Sequence, residues 1–588
     1  MTRASAGLFA VEPPRSGLMN TLWEKQLEKG FISDSDIAEM AAAHQTSKVD
    51  IEGVASFYHF FHRTPAGKYT IYIDDSIIAR HKGYGRIVEA FERETGAMLG
   101  SVDRTGTFGL FKTPCIGLSD QAPAVLINFL PFTHLNVIKV KEIVQRLKNG
   151  EPLESLYHEP DANVRQTLSN GSSVFFDAFQ ESTFKKIADL SPEAVIEQLR
   201  ACELSGRGGA FYPTWKKWDA CRRVPSTLKF IVCNADEGEP GTFKDRVLLH
   251  QSPELLLQGM ILAGYTAGAQ YGFIYLRGEY WWLYPLLQKT IEDFRQKNYL
   301  GGQVLGIDGF AFDIRIQMGA GAYVCGEETA LLESMEGKRG EPRTKWFFPV
   351  EKGYLQQPTI VNNVETFCAA ASILRMGTDA YNRIGLPGSP GAKLISISGD
   401  CALPGVYEIP WGMTVAELLE RCGAEDPYFI QVSGPSGECI SMQEKYRRIS
   451  MLDLLGARDI RCGGSFMVFN SKREIIDILL NFAEFFKKES CGICTPCRAG
   501  NFMLQRKLEK FKHKMAHPSD IEELRHWGLL MKTSSRCGLG KTACNSVLFA
   551  AEKFAPYFQT LLDREYDGLN SRFDMEQAIA DYEVYKPD

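Results

Sequence analysis

Residues 204–218 read Leu-Ser-Gly-Arg-Gly-Gly-Ala-Phe-Tyr-Pro-Thr-Trp-Lys-Lys-Trp, a mixture of glycine, basic and aromatic residues. Glycines allow backbone approaches that a Cβ would block, and backbone N–H groups near a helix start bind phosphate well. The mixture suits a phosphorylated aromatic ligand, such as a nucleotide or a flavin. The spacing fits neither G-x-G-x-x-G nor G-x-x-x-x-G-K-[ST]. A plain glycine-rich turn beside aromatic core residues therefore stays open as the alternative.

The composition is that of a globular protein with several domains. A chain of 588 residues is too long for one core, so three to five domains are expected. The net charge of −6 argues against a general nucleic-acid binder. The sequence has no apolar run of membrane-spanning length, and the apolar segment near its start is too short for a signal peptide. We expect a cytoplasmic protein whose 15 cysteines are buried thiols and metal ligands rather than disulfides.

Hydrophobic periodicity divides the chain into six segments. We predict a helical lead-in over 1–65, where Ser33 and Asp34 could cap a helix, a small α/β unit over 66–150 and a polar linker over 151–180. A larger α/β unit over 181–388 has predicted strands at 229–233, 272–276 and 313–318, and predicted helices at 192–202, 253–268 and 327–336. This alternation favours a mostly parallel sheet covered on both faces. A hinge at 385–391, a compact α+β unit over 389–475 and a helical region over 476–588 follow.

The strongest motif is C-x2-C-x2-C, formed by Cys491, Cys494 and Cys497. Two-residue gaps let three thiolates converge on one face of a cluster, and a cubane needs a fourth ligand from elsewhere. Cys537, flanked by Gly538 and Gly540, is predicted as that ligand. A structural zinc site is the alternative. Cys544 lies inside a helix-like run and is predicted to be a core residue. Nine further cysteines have no ligand spacing and are predicted to be buried: Cys202, Cys221, Cys233, Cys325, Cys368, Cys401, Cys422, Cys439 and Cys462.

Three further motifs accompany the glycine stretch. An acidic segment, 233–245, directly follows a predicted strand, where open α/β sheets bind ligands; a solvated acidic turn is the alternative. A second glycine loop, 319–329, ends in Glu327 and Glu328, which could simply favour a helix start. Asn362 and Asn363 offer adjacent amides. Together with the cysteines, these motifs indicate a redox flavoprotein.

At this point the chain resembles a known family over residues 175–575. The motifs at 206–210, 234–241, 319–330, 362–366 and 489–498 are similar, in content and order, to those of the NADH-binding flavoprotein subunit of respiratory complex I. The resemblance implies a Rossmann-like FMN/NAD domain, a ubiquitin-like β-grasp domain and a helical bundle with a [4Fe–4S] cluster. It implies cofactors FMN, NAD(H) and [4Fe–4S].

The resemblance also implies site residues. FMN is expected at Gly206, Arg207, Gly208, Gly209, Lys217, Asn234, Asp236, Glu237, Gly326, Glu327, Glu328, Asn362 and Asn363. The dinucleotide is expected at Tyr212, Glu239, Tyr323, Lys345 and Phe348, with Glu328 orienting the nicotinamide as the catalytic residue. The family usually has Gly where this chain has Phe211, and Phe where it has Tyr212. The ligand contact is therefore expected to survive on a loop whose backbone differs.

The first 150 residues resemble the family's thioredoxin-like partner subunit, here fused in front. That subunit carries a [2Fe–2S] cluster on four cysteines, whereas this chain has Cys115 and Ser119 at one pair of positions and no cysteine near 74–80 at the other. We therefore expect a degenerate, cluster-free docking scaffold. This fusion is most similar to the diaphorase subunits of NAD-reducing [NiFe] hydrogenases.

That resemblance implies hydride transfer between NAD(H) and FMN, and single-electron transfer to [4Fe–4S]. The expected partners are a small iron–sulfur subunit and, through it, the hydrogenase subunits, with no nucleic acid and no membrane insertion. The alternatives are the flavoprotein subunit of an NAD-linked formate dehydrogenase or NADH dehydrogenase, and a non-catalytic nucleotide-binding or cluster scaffold.

Overall fold

The computed structural model of the protein describes residues 17–168, 173–455 and 463–563. Parts of several predicted segments lie outside these ranges, namely residues 1–16, linker residues 169–172, residues 456–462 with Cys462, and residues 564–588. The predicted multidomain α/β fold class is confirmed. None of the helices in the described ranges is long and apolar enough to cross a membrane.

The N-terminal region forms three helices, α1 (Leu18–Lys29), α2 (Asp34–Ala43) and α3 (Lys48–Ala55). The predicted cap at Ser33 is confirmed, because its hydroxyl accepts the Asp36 N–H while the Asp36 carboxylate accepts the Ser33 N–H. Trp23 of α1 donates its indole N–H to the carbonyl of Gly319 over 3.2 Å. The lead-in therefore packs directly against the second glycine loop.

A five-stranded mixed sheet follows, ordered β2-β3-β1-β4-β5. Its strands run parallel at β1/β3 and antiparallel at β1/β4. The buried apolar faces of its helices cover the sheet, as expected for a thioredoxin-like unit. The elements are β1 (Tyr69–Asp74), α4 (Ile77–His81), α5 (Tyr84–Thr95), β2 (Ser101–Val102), β3 (Phe108–Thr113), β4 (Val125–Ile127), β5 (Leu130–Phe132), α6 (Val137–Lys148) and then β6 (Val164–Gln166).

The central unit has a four-stranded, entirely parallel sheet ordered β10-β7-β8-β9. Helices α11 and α15 are almost wholly buried and pack so closely that a Cβ on Gly259 would lie 2.1 Å from the carbonyl oxygen of Phe367. The predicted strands and helices here are confirmed within two residues. The elements are α7 (Glu181–Lys185), α8 (Pro192–Ala201), α9 (Thr214–Arg223), β7 (Phe230–Ala235), α10 (Lys244–Gln251), α11 (Pro253–Ala267), β8 (Tyr271–Leu276), α12 (Tyr284–Gln296), β9 (Asp313–Met318), α13 (Glu328–Met335), α14 (Pro349–Lys352), β10 (Thr359–Asn363), α15 (Val364–Met376) and α16 (Thr378–Asn382).

The next unit, over 389–475, is the one that the resemblance identifies as ubiquitin-like. It has its own hydrophobic core and a six-stranded sheet ordered β16-β15-β17-β13-β14-β6. The elements are β11 (Gly385–Leu386), β12 (Ser389–Pro390), β13 (Ala392–Gly399), β14 (Gly405–Pro410), α17 (Val415–Arg421), β15 (Pro427–Val432), β16 (Glu438–Ser441) and β17 (Ser465–Asn470). Two segments that the sequence predicts to be a linker and a hinge form strands instead. Linker residues 164–166 form β6, which pairs with β14, and the predicted hinge forms the small hairpin β11–β12. Both use pairings that local polarity does not reveal.

Residues 475–563, the last that the structure describes, form a helical bundle, as predicted. Its helices are α18 (Ile475–Glu489), α19 (Thr495–Lys512), α20 (Pro518–Ser534), α21 (Gly538–Thr542), α22 (Asn545–Lys553) and α23 (Ala555–Thr560). The predicted helical run through Cys544 is wrong in detail. Cys544 is the residue before α22, where the chain leaves α21 and starts a new helix.

Candidate flavin and iron–sulfur site

The predicted binding motifs meet at one edge of the parallel sheet. The acidic segment leaves the end of β7, the second glycine loop leaves the end of β9, and Asn362 and Asn363 end β10. Asn363 is the register partner of Asn234 on the neighbouring strand. Ligands of open α/β sheets bind at the carboxyl ends of the strands, so the topology itself assembles the candidate site.

Helix α9 ties the first glycine stretch to this edge. The Lys217 ammonium donates to the Glu328 carboxylate and to the carbonyl of Val361, both over 2.9 Å. The indole N–H of Trp218 donates to the Asn362 side-chain oxygen over 2.9 Å, which fixes the orientation of that amide. Lys217, Glu328 and Asn362 are thereby brought together. Trp218 was noted in the sequence only as one aromatic residue of the 204–218 stretch, and its bond to Asn362 was not predicted.

The glycine loop brings its backbone, and not the side chain of Arg207, close to the sheet edge. A Cβ on Gly208 would lie 3.0 Å from the Cβ of Asn363, and Gly209 has a left-handed φ of +105°. The Arg207 side chain is buried away from Lys217, with its guanidinium 3.2 Å from the Tyr381 hydroxyl and stacked on Trp411. Because Arg207, Lys216 and Lys217 lie in one short stretch, the sequence predicts that their charges meet at the ligand. The structure differs: Arg207 is turned to Tyr381 and Trp411, and Lys216 is exposed and lies over Trp215.

Phe211 stands where the family usually has glycine, and its backbone has a φ of +50°. Such a φ is uncommon for a bulky residue and costs roughly 1–2 kcal/mol. The Phe211 ring packs against the core of the ubiquitin-like unit, and burial of that ring offsets the strain. The loop thus keeps a left-handed turn with a residue other than glycine.

The acidic residues have different surroundings. Asp236 is half-buried as a residue, but one of its carboxylate oxygens is buried and has no hydrogen-bond partner in the described ranges. Desolvation of the carboxylate raises its pKa well above the usual value. Glu237 uses both oxygens within the protein, accepting the N–H groups of Asp245 and Arg246 and the Tyr280 hydroxyl. Asp236 therefore has a carboxylate oxygen that could bind a ligand, whereas both carboxylate oxygens of Glu237 already accept hydrogen bonds within the protein.

Glu239 lies between two units. It accepts the Tyr323 hydroxyl, and the N–H of Ser436 donates to it over 2.9 Å. Burial raises the pKa of Glu239 to about 7. Tyr323 in turn donates its backbone N–H to Glu489 over 2.9 Å. One tyrosine therefore connects the acidic segment with the end of α18, two residues before Cys491.

The second glycine loop is fixed by its own side chains. Asn234 donates to the carbonyl of Gly326 over 2.9 Å. Glu327 caps α13 by accepting the N–H groups of Thr329 and Ala330, the simple helix-start role. Asn363 likewise caps α15 and donates to Asp245 over 2.6 Å. These contacts hold the loop ends in place at the sheet edge.

The residues expected to grip the adenosine half are on the surface. Tyr212 is 52% exposed and Phe348 is 61% exposed, while Lys345 is also exposed. Next to Phe348, Trp346 is 83% exposed and was not predicted; the run Trp-Phe-Phe at 346–348 was the available signal. Exposed aromatic faces of this kind can stack on a nucleotide base.

The donor set fits FMN. A buried, unpartnered carboxylate oxygen on Asp236 can accept from a hydroxyl, the glycine loop offers close backbone, and Lys217 supplies a cation. Asp236 follows the end of strand β7, while the glycine loop and Lys217 reach the same sheet edge from the start of α9 and from α9 itself.

The four predicted cluster cysteines lie side by side. Burial raises the pKa of Cys497 to about 12, and the charges of Cys494, Cys537 and Cys491 add to the effect, which means that all four are neighbours. Cys494 and Cys537 each precede the first residue of a helix. Backbone N–H groups of Leu539 and Gly540 donate to Cys537. A Cβ on Gly540 would lie 2.9 Å from that of Cys497, so the two chain segments approach closely.

Four thiols with backbone donors suit a [4Fe–4S] cluster. In the described ranges, no three His, Cys, Asp or Glu side chains stand in ready-made metal-ligand geometry, so the fit rests on donor chemistry and proximity. Cys544 is directed elsewhere, with its sulfur 3.5 Å from the carbonyl oxygen of Gly528, and burial raises its pKa to about 11. Its predicted core role is consistent with this placement.

Three family models match parts of the chain. The "Nuo51 FMN-binding domain" matches residues 199–372, the "Thioredoxin-like [2Fe-2S] ferredoxin" matches 9–148, and the "NADH-ubiquinone oxidoreductase-F iron-sulfur binding region" matches 477–561. Fold and site together define a flavin- and iron–sulfur-dependent oxidoreductase subunit.

Whole-chain similarities make the assignment specific. The NAD-reducing hydrogenase HoxS subunit alpha of Cupriavidus necator is 45% identical, over 97% of this chain and 96% of that protein. The NADP-reducing hydrogenase subunit HndC of Solidesulfovibrio fructosivorans is 36% identical over 64% of this chain and 78% of its own length. A crystal structure of an NAD+-reducing [NiFe]-hydrogenase in the H2-reduced state superposes with a TM-score of 0.87 at 34% identity, covering 98% of each chain. The protein belongs to the family of NADH-binding flavoprotein subunits that includes the HoxS alpha subunit.

Proposed function

We propose that this protein is the diaphorase subunit of a cytoplasmic NAD-reducing [NiFe] hydrogenase. The supporting observation is the contact pattern of Tyr323, which bonds both to Glu239 at the sheet edge and to Glu489 beside the cluster cysteines. In addition, Cys537 lies near Glu327. Burial is the largest effect that raises the pKa of the Cys537 thiol, and the charge of the Glu327 carboxylate also raises it. The nucleotide edge and the cluster segment are therefore adjacent, as an electron-transfer module requires.

The chain's residues would divide the work. When bound, FMN would exchange hydride with NAD(H) and single electrons with the [4Fe–4S] cluster. Lys217, Asp236, Asn362 and the 206–209 backbone would hold FMN, and Glu328, fixed by Lys217, would orient the nicotinamide. Tyr212, Lys345 and Phe348 would bind the adenosine half. The remaining predicted FMN residues, Glu237 and Glu327 among them, would act by fixing the loops.

Partners and domain limits are part of the proposal. A small iron–sulfur subunit would pass electrons between this chain and the hydrogenase subunits. The six segments predicted from the sequence would correspond to domains, with strand β6 of the linker region added to the ubiquitin-like sheet.

Anaerobic reconstitution of the purified chain tests the proposal. We expect bound FMN, broad iron–sulfur absorbance and NADH-dependent reduction of an artificial dye. Colourless protein that holds zinc would instead indicate a nucleotide-binding module. Cluster absorbance without flavin or dye reduction would indicate a cluster scaffold with an inactive flavin site.

We further propose that the thioredoxin-like unit holds no [2Fe–2S] cluster, although it matches the model of such ferredoxins. Cys115 is the only cysteine among the first 150 residues. Its buried thiol lies 3.4 Å from the Ser119 hydroxyl, and burial raises its pKa. One thiol cannot replace four cluster ligands.

A substitution at Cys115 tests this second proposal. Cys115→Ser should leave the iron content of the reconstituted chain unchanged, because the proposal places no iron at Cys115. The variant should fold, because Ser and Cys are close in size. Iron analysis and low-temperature EPR of the wild type and the variant make the comparison. Loss of about two irons per chain, together with a [2Fe–2S] signal, would contradict a cluster-free unit.

A further inference from the structure

Two neighbouring cavities lead from the protein surface to the acidic segment at the sheet edge. The outer cavity has a volume of about 630 Å³ and lies between the thioredoxin-like unit, the chain after α3 and helix α18. Ser56 and Lys488 in its wall are exposed, so it opens to solvent. The inner cavity has a volume of about 10 Å³ and borders Asp236. His59 and Glu489 line both cavities, which therefore lie side by side.

Both cavities have polar walls that suit water. In the outer cavity, the buried Thr113 hydroxyl has no hydrogen-bond partner among the residues that the structure describes, and such groups are usually bonded to ordered water. The inner cavity has the space of one water molecule. A buried water needs several polar partners, and Asp236, with its unpartnered carboxylate oxygen, lines this cavity together with Arg277 and Glu279. Water can therefore fill the passage from the surface to Asp236.

His59 lies where the two cavities meet, and the second glycine loop holds it there. The backbone N–H of His59 donates to the carbonyl of Gly321 over 3.2 Å. Gly321 has a left-handed φ of +78°, and a Cβ at this position would lie 2.8 Å from the Phe60 ring and 3.2 Å from the Cβ of His59. Glycine at 321 thus allows the lead-in to bring its histidine against the loop.

The surroundings of His59 favour a neutral imidazole. Its surface is accessible from the cavity, yet the protein around it desolvates the ring. This burial is the largest effect and lowers the pKa of His59, while the charge of Glu279 raises it and that of Lys488 lowers it. A neutral imidazole can take up a proton at one ring nitrogen and release one from the other. Glu489 also faces both cavities, but its carboxylate already accepts the Tyr323 N–H.

The proposed function requires a proton at the sheet edge. Reduction of NAD+ to NADH takes up two electrons and one proton, and the cluster supplies electrons singly and without protons. The bound dinucleotide would cover the exposed side of the site, where Tyr212 and Phe348 lie. Neither of these residues lines the two cavities, so the passage stays open while the dinucleotide is bound.

We propose that His59 carries this proton from the outer to the inner cavity, from which it reaches the flavin site through Asp236. A water molecule in the outer cavity gives a proton to one imidazole nitrogen, and the other nitrogen releases its own proton to the water beside Asp236. Asp236 passes a proton on to the site and receives one from that water. One proton thus enters from solvent for each one consumed, and every carrier returns to its starting charge. This proton path rests on the proposed function.

NAD+ reduction by a one-electron donor tests the proton path in the native complex. With reduced viologen as the donor, His59→Gln should form NADH roughly 100-fold more slowly than the wild type, the lower end of what a positioned proton carrier contributes. Hydride exchange from NADH to the acetylpyridine analogue of NAD+ moves the hydrogen nucleus with its electron pair and needs no further proton. It should therefore keep the wild-type rate in the same variant. In His59→Ala, free imidazole should speed NADH formation, because it replaces the missing ring.

His62→Gln is the matched control. His62 lies on the same segment, its ring nitrogen is 2.7 Å from the Tyr72 hydroxyl, and it lines neither cavity. This variant should keep both rates. Wild-type NADH formation in His59→Gln, or an equal loss of both reactions in the folded variant, would overturn the proposal. If His59→Gln does not fold, the response of His59→Ala to imidazole decides the outcome, and absence of both reactions in the wild type would instead contradict the proposed function.

A second measurement does not depend on turnover. In a crystal structure of the flavin-free protein, we expect ordered water along the outer cavity and one water within about 3.2 Å of the Asp236 carboxylate. Such water would join His59 to Asp236 by hydrogen bonds. A crystal structure whose inner cavity holds no water would break the proton path and overturn the proposal.

Discussion

Cys537→Ala should abolish the [4Fe–4S] signal of the reconstituted protein. The other three ligands come from one turn of chain at 491–497, whereas Cys537 arrives from a separate segment whose backbone N–H groups donate to its sulfur. Three thiolates leave one iron of a cubane without a protein ligand. Electron delivery to partner subunits should then be lost, while direct reduction of a dye from NADH should remain, because the flavin edge is intact.

EPR of the reduced protein and iron analysis make this measurement, with Cys544→Ala as the control. Cys544 also lies near the bundle core, but its sulfur faces the carbonyl of Gly528. The control should keep its full cluster signal. A cubane that survives in Cys537→Ala and disappears in Cys544→Ala would reverse the ligand assignment.

Lys217→Met should weaken FMN binding by about 10- to 100-fold, in line with the roughly 1.5–3 kcal/mol of a hydrogen bond to a charged group. The ammonium of Lys217 is a cation that lies at the sheet edge, where it also holds Glu328. Its loss removes a donor and releases the side chain proposed to orient the nicotinamide. Both effects reduce NADH oxidation.

Titration of the flavin-free protein with FMN, followed by fluorescence quenching, gives the affinity. Lys216→Met is the matched control, because it removes the same charge from the neighbouring, exposed position over Trp215. It should bind FMN like the wild type. Equal losses in the two variants would mean that general charge, and not the position of Lys217, controls binding.

Much of the fold was accessible from the sequence because its signals are local. The strands and helices of the parallel sheet have periodicities and flanking glycines of their own, and the cap at Ser33 depends on residues only three positions apart. Strand β6 carried no such signal. Its partner, β14, is more than 230 residues away along the chain, as the Val164–Val406 register shows.

The candidate site divides in the same way. Spacing predicted three of the cluster cysteines, flanking glycines predicted Cys537, and a predicted strand end placed the acidic segment at the edge of the sheet. That the Asn362–Asn363 pair ends a neighbouring strand was not predicted. The direction of each side chain could not be read from the sequence, because it depends on distant contacts. Arg207, for example, is turned to Tyr381 and Trp411, which lie more than 170 residues further along the chain.

The central claim is that this chain couples hydrogen oxidation to NAD+ reduction. The most direct measurement is NADH formation by the native complex, purified anaerobically through a tag on this chain and supplied with NAD+ and either hydrogen or formate. We predict NADH formation with hydrogen only, and its loss in Cys537→Ala. NADH formation with formate and not with hydrogen would contradict this claim.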